Sequence, residues 1–232
     1  DGSREIVYYD SETGDNFPYR IELTRWDDWQ IMSDTRFKDT TEFFGWLNER
    51  YYDFATSALK NDGVNSLILH NNHYYGLAEL KARDSSDILD THPYYGYVRS
   101  NNNYGGDGEW VTHVPQVLSP TYNMVTYTSL IEHEAKPVSM SESNHNAPSL
   151  YTGEMPLFIS TYGSYHDWDA WFYFKAYMID YKDQPQLRIP EAFDTWYSPD
   201  RMAFMPAASR IFRYNYITPG TDIIYLEHSN DT

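Results

Sequence analysis

The chain has 232 residues, no cysteine and a formal net charge of −17. The missing thiols exclude disulfides and thiolate chemistry, and the negative field repels nucleic-acid phosphates and anionic membranes. A hydrophobic content of 41% is enough for a packed core, and no run is long and apolar enough to span a membrane.

Aromatic residues make up 18% of the chain, with 23 Tyr and 7 Trp. Tyr and Trp join a flat apolar face to a polar handle. Sugar rings, with apolar C–H faces and hydroxyl rims, are natural partners for such side chains, although most of the rings serve the core.

Residues 1–38 read as an irregular segment leading into the main domain. Strand-like pieces at 5–9 and 19–23 are separated by Gly14, Asp15, Asn16 and Pro18. The start, Asp1-Gly2-Ser3-Arg4-Glu5, has no signal-peptide pattern and reads as an internal cut or a processed end. The Trp26-Asp27-Asp28-Trp29 cluster reads as an aromatic anchor under a loop rather than a ligand contact.

Asp39-Thr40-Thr41-Glu42 resembles a capping box. After it Phe43, Leu47, Tyr51, Phe54, Ala55, Ala58 and Leu59 recur at helical spacing, predicting a helix of about five turns that stops near Asp62-Gly63. Residues 64–69 predict a short strand ending in His70-Asn71-Asn72-His73, and 77–83 a short helix. Residues 87–91 predict a second strand ending in His92-Pro93-Tyr94-Tyr95. A long polar loop follows, through Asn101-Asn102-Asn103 and Gly105-Gly106-Asp107-Gly108. Ser119-Pro120 opens another helix, with Met124, Tyr127 and Ile131 on one face.

Residues 137–141 predict a third strand. Its apolar run ends in Glu142, then Ser143-Asn144-His145 and the breaker Asn146-Ala147-Pro148. Residues 150–165 predict a helix with Pro156 near its start, and 169–174 a fourth strand. After an irregular stretch, Ser198-Pro199 caps a helix to about Arg213 with a bend at Pro206. The tail, 216–232, reads as an exit segment toward a C-terminal β module.

Strands alternating with helices predict parallel strands with crossover helices. No glycine-rich phosphate fingerprint follows any strand, which argues against a nucleotide-binding sheet. The expected fold class is therefore α/β, a (β/α)₈ TIM barrel, with residues 39–215 as its latter half, strands five to eight. The polar and aromatic residues crowd after strand C-termini, which is the active face of such barrels. Glu142 there suits a nucleophile, a general base or a metal ligand. His70, Asn72, His73, His92, Asn144 and His145 suit hydrogen bonds to substrate hydroxyls better than a metal, because no His-Glu-x-x-His pattern is present. No cofactor is expected. Glycoside hydrolysis calls for a second carboxyl group. Asp90, which could point to the rim or the core, and Glu22, in a weak strand-like run, are the candidates.

Ser141-Glu142-Ser143-Asn144-His145-Asn146-Ala147-Pro148, then Gly153-Glu154-Met155-Pro156 and Trp168-Asp169-Ala170-Trp171-Phe172-Tyr173-Phe174, resemble the last barrel strands of the large retaining (β/α)₈ glycoside hydrolase clan. Residues 87–95 are similar to the clan's sixth strand, which often ends in His and an aromatic. The resemblance covers roughly residues 39–220. It departs from the clan's pattern at Ser143, Asn146 and Ala170. It implies that Glu142 is the nucleophile of a double displacement, that Tyr94 or His92 tunes its orientation, and that Trp171 or Tyr173 forms a sugar platform. Asn144 and His145 would support the rim. The acid/base implied by the clan follows an Asn at a strand end; the only Asn-Glu pair, Asn48-Glu49, falls inside the predicted helix, so the acid/base and the first barrel half would come from another segment or chain. The implied substrate is a polysaccharide or oligosaccharide, and the implied location is extracellular, periplasmic or at the cell surface. The alternative is a non-catalytic carbohydrate-binding barrel fragment.

Overall fold

A computed structural model of the chain describes residues 33–74, 76–96, 98–99, 110–111, 113–133, 136–176 and 192–225. The strand-like pieces at 5–9 and 19–23, the Trp26–Trp29 cluster, Glu22, the polar loop at 101–108 and the end of the tail lie outside them.

Ser33 opens the first helix, α1 (Asp34–Asn61), and its side chain accepts the Arg36 N–H at 3.3 Å. This cap starts the helix earlier than the Asp39 box, and its 28 residues make roughly eight turns. Asp62 closes it, and Gly63 follows at φ 84°, a left-handed position that suits glycine. The stripe read from spacing is not the buried one. Phe43, Leu47, Tyr51 and Phe54 are exposed, and Tyr52 alone is buried on this helix. Tyr52 stacks on His70 at 4.5 Å between ring centroids.

Helix α2 (Leu77–Ala82) packs on α1 and leads through a 3₁₀ turn into strand β1 (Leu89–Thr91). Strand β2 (Tyr94–Tyr95) continues its direction, and β3 (Val98–Arg99) pairs antiparallel with β4 (Trp110–Val111). Helix α3 (Met124–Ser129) begins after the Ser119-Pro120 signal, because Asn123 forms a full capping box with Thr126. Strands β5 (Val138–Met140) and β6 (Asn144–His145) follow, then helix α4 (Met155–Tyr165) with Pro156 in its first turn. Strand β7 (Ala170–Trp171) precedes helix α5 (Pro199–Arg213), which continues through Pro206.

Strands β1, β5 and β7 form a parallel sheet in chain order, with Leu89 opposite Val138 and Met140 opposite Trp171. Neighbouring parallel strands need crossovers of a dozen or more residues. Here those crossovers carry α3 and α4. The predicted strand at 64–69 forms no ladder. It runs beside β1 through single contacts: Ile68 O accepts the Asp87 N–H at 2.9 Å, and Asn72 O accepts that of His92 at 2.8 Å. The Ile68 N–H is taken by the Asp87 carboxylate instead of a strand carbonyl. Among the described residues the sheets are mixed with helices and do not close into a barrel.

The core lies between this sheet and helices α3 and α4. It is built from Leu89, Tyr95, Met124, Val125, Ile131, Val138, Met140, Met155, Ile159 and Trp168. Burying each large side chain contributes roughly 1.5–3 kcal/mol. A buried ion pair lies beside the sheet: Arg83 Nε donates to Glu79 Oε1 at 2.6 Å and Nη2 to Oε2 at 2.7 Å. Arg83 also reaches the carbonyls of Asp90, at 3.2 Å, and His73. One guanidinium thus ties β1 to the segment that precedes α2.

Candidate active site at the end of the parallel strands

The β1–β5 and β2–β6 ladders are out of step by one residue. Ser141, Glu142 and Ser143 together oppose only His92 and Pro93. An extra residue on one strand interrupts pairing and re-aims a side chain. Pro93 has no N–H to give to a ladder, so the interruption leaves no strand donor orphaned there. Glu142 projects from this break at the C-terminal end of β5.

Two side chains meet its carboxylate. The Tyr94 hydroxyl hydrogen-bonds Glu142 Oε1, and His92 Nδ1 lies 3.2 Å from Oε2. The Glu142 side chain is 29% exposed and that of His92 17%, so the group is fixed yet open to solvent. The Tyr94 ring is held edge-on by Phe174 at 6.2 Å and Phe193 at 5.2 Å. The other imidazole nitrogen, His92 Nε2, lies 2.8 Å from Ser141 Oγ. The His92 backbone is fixed by Asn72 O, and the His73 ring meets the imidazole edge-on at 5.8 Å.

The remaining sequence candidates fall elsewhere. His70 does not face Glu142. Its Nε2 bonds Thr56 Oγ1 at 2.8 Å under α1, and burial pushes its pKa down. Asn72 acts through its backbone carbonyl. Asn144 is wholly buried and acts as a brace. Its amide donates to the carbonyls of Phe174 and, at 2.7 Å, Phe193, and its Oδ1 accepts from Arg201 at 2.8 Å. His145 is also wholly buried. Its Nε2 contacts Ser149 Oγ at 3.0 Å and Tyr95 meets its ring edge-on. Burial, reinforced by the Arg201 charge, lowers its pKa to about 4, so it is neutral at pH 7.

Trp171 and Tyr173 line an apolar pocket of about 140 Å³ with Met205, Ser209, Phe212 and Arg213 of α5. The Trp171 indole N–H donates to Ser143 Oγ at 2.9 Å, one residue beyond Glu142. Burial pushes the Tyr173 hydroxyl up to about 12. Asp90, weighed as a second acid, is wholly buried among Ser139 and Ser141 and does not open to the rim. Asn48 and Glu49 lie within α1, as their place in the predicted helix requires.

Sequence reasoning missed Ser141, Phe193 and Arg201. Ser141 only flanks Glu142, Phe193 lies in a stretch without periodicity, and nothing local marks Arg201, in the first turn of α5, as a buried cation. Among the described residues no group of three or more His, Asp or Glu side chains is arranged to hold a metal. None of the helices there is long and apolar enough to cross a membrane. Compared with protein-family models, curated proteins and solved structures, the chain matches none.

Proposed function

We propose that the chain carries the nucleophile half of a retaining glycoside hydrolase acting on a polysaccharide or oligosaccharide outside the cell or at its surface. The observation that carries this reading is the carboxylate of Glu142, part-exposed at the C-terminal end of a parallel strand and gripped by Tyr94 and His92. Parallel strands that neighbour one another in chain order, joined by helices, support a (β/α)₈ arrangement with its reactive groups at this end. The resemblance at residues 87–95 and 141–148 agrees with it.

In the proposed reaction a Glu142 oxygen attacks the anomeric carbon and the aglycone leaves with a proton from a carboxylic acid. That acid is supplied by a segment outside the described residues or by another chain carrying the first barrel half. Water then cleaves the glycosyl ester, giving up its proton to the same acid acting as base. Tyr94 and His92 keep the carboxylate from rotating, so the attacking lone pair stays aimed.

The test is Glu142→Gly in the full protein with a panel of activated aryl glycosides. Loss of turnover, with azide restoring release of the aryl group and forming a glycosyl azide, supports the nucleophile. Unchanged turnover sinks it. Sugar binding by the wild type with no turnover of any glycoside leaves the carbohydrate-binding reading instead.

A further inference from the structure

One wholly buried carboxylate has no part in the reaction just described. Asp90 Oδ1 accepts the Ser139 hydroxyl and the Ser141 N–H, the latter at 2.9 Å. Its Oδ2 accepts the Ser141 hydroxyl at 2.5 Å. A serine hydroxyl has a single proton. With that proton given to Asp90, Ser141 Oγ can meet His92 Nε2, 2.8 Å away, only as an acceptor. His92 therefore carries a hydrogen on Nε2, and the nitrogen left to face Glu142 Oε2 is Nδ1. The direct gap from His92 Nε2 to Asp90 Oδ2 is 3.6 Å, so the hydroxyl is the closer link.

We propose that Asp90 is a positioning residue for Glu142, acting through Ser141 to keep a hydrogen on His92 Nε2, so that Nδ1 is the nitrogen turned to Glu142 Oε2. The inference rests on the assignment of Glu142 to the reaction. The groups facing the imidazole are Asp90 and Ser141 on one side, Glu142 on the other, and the edge of His73. Which nitrogen of a histidine carries the hydrogen is set by the bond its other nitrogen makes.

Asp90→Asn makes the inversion testable, because the amide has nearly the same shape. Its oxygen can still accept from Ser139 and the Ser141 N–H. Its NH₂, in place of Oδ2, donates to Ser141 Oγ and turns the serine hydrogen toward His92 Nε2. The neutral imidazole must then carry its hydrogen on Nδ1.

The experiment is long-range ¹H–¹⁵N spectroscopy of ¹⁵N-histidine protein near neutral pH, with His92 assigned through His92→Gln. The wild type is expected to show a protonated Nε2, Asp90→Asn an unprotonated Nε2 with hydrogen on Nδ1, and Ser139→Ala the wild-type pattern. An unprotonated Nε2 in the wild type overturns the proposal, and so does a folded Asp90→Asn with unchanged His92 signals. If Asp90→Asn does not fold, the wild-type spectrum still decides. The nitrogen signals report proton placement in the free protein, so failure of azide rescue and failure of this inference register separately.

Discussion

Tyr94 and Glu142 stand 48 residues apart in the chain, and the phenol of one donates a hydrogen bond to the carboxylate of the other. Tyr94 sits in β2 and Glu142 just ahead of β6, so the pairing of two short parallel strands brings them together. The loss of a hydrogen bond to a charged group costs about 1.5–3 kcal/mol. Tyr94→Phe is therefore expected to lower kcat on an activated aryl glycoside by roughly 10- to 100-fold. Rate measurements at saturating substrate check this, and an unchanged kcat removes Tyr94 from the site.

The buried pair of Arg83 and Glu79 gives a stability prediction. Removal of one partner of a buried ion pair leaves the other charge unpaired and costs about 3–5 kcal/mol. Arg83→Ala should lower the urea midpoint accordingly, and it should also loosen His92, because Arg83 holds the carbonyls of His73 and Asp90. Replacing both partners with apolar residues of similar volume should recover much of the loss. A single variant within 1 kcal/mol of wild type by urea titration contradicts the account (the order of a single ordinary hydrogen bond).

His145 gives a pH dependence with a definite sign. Its folded value of about 4 lies below the ordinary 6.5. As pH falls below about 6.5 the unfolded chain takes up a proton that the folded chain refuses, so stability rises with pH between about 4 and 6.5. This group contributes up to about 3 kcal/mol across that window. Urea titrations at pH 7, 6 and 5 should show the fall, and His145→Gln should flatten it. An equal slope in the variant assigns the dependence to other groups.

Gly96 follows β2 at φ 71°, and a Cβ built there would stand 2.9 Å from the His145 ring. Gly96→Ala meets both a left-handed backbone, which costs an L-residue about 1–2 kcal/mol, and a rigid buried ring. Its thermal midpoint should fall well below that of Gly63→Ala, where φ is also positive but nothing lies within 4 Å. Equal midpoints would leave backbone strain as the whole effect.

Much of the helical frame was legible because its signals are local. Ser198-Pro199 set the start of α5 and the helix ends at Arg213, as the spacing predicted. Asn123 was passed over because Ser119-Pro120 offers an earlier, equally local start. The face of α1 was misread because spacing defines a stripe without saying which stripe meets a neighbour. His92, Tyr94 and Glu142 were legible as residues following strands. Asp90 was not, because a strand residue can face either way until its partners are known, and its partners are Ser139 and Ser141 across the ladder. The brace formed by Asn144, Phe193 and Arg201 depends on contacts 49 and 57 residues apart, which no local pattern records.

Helix α1 turns Phe43, Trp46, Leu47 and Phe54 to solvent on a chain of net charge −17. Spaced three or four residues apart and at their multiples, these side chains form one band along the helix. Two copies that approach band to band gain apolar burial but meet each other's like charge. The balance is colloidal, and ionic strength tips it. Repulsion reaches about 30 Å at 0.01 M salt and only about 3 Å at 1 M. Dispersed copies at low salt and growing self-association as salt is added are what this surface dictates.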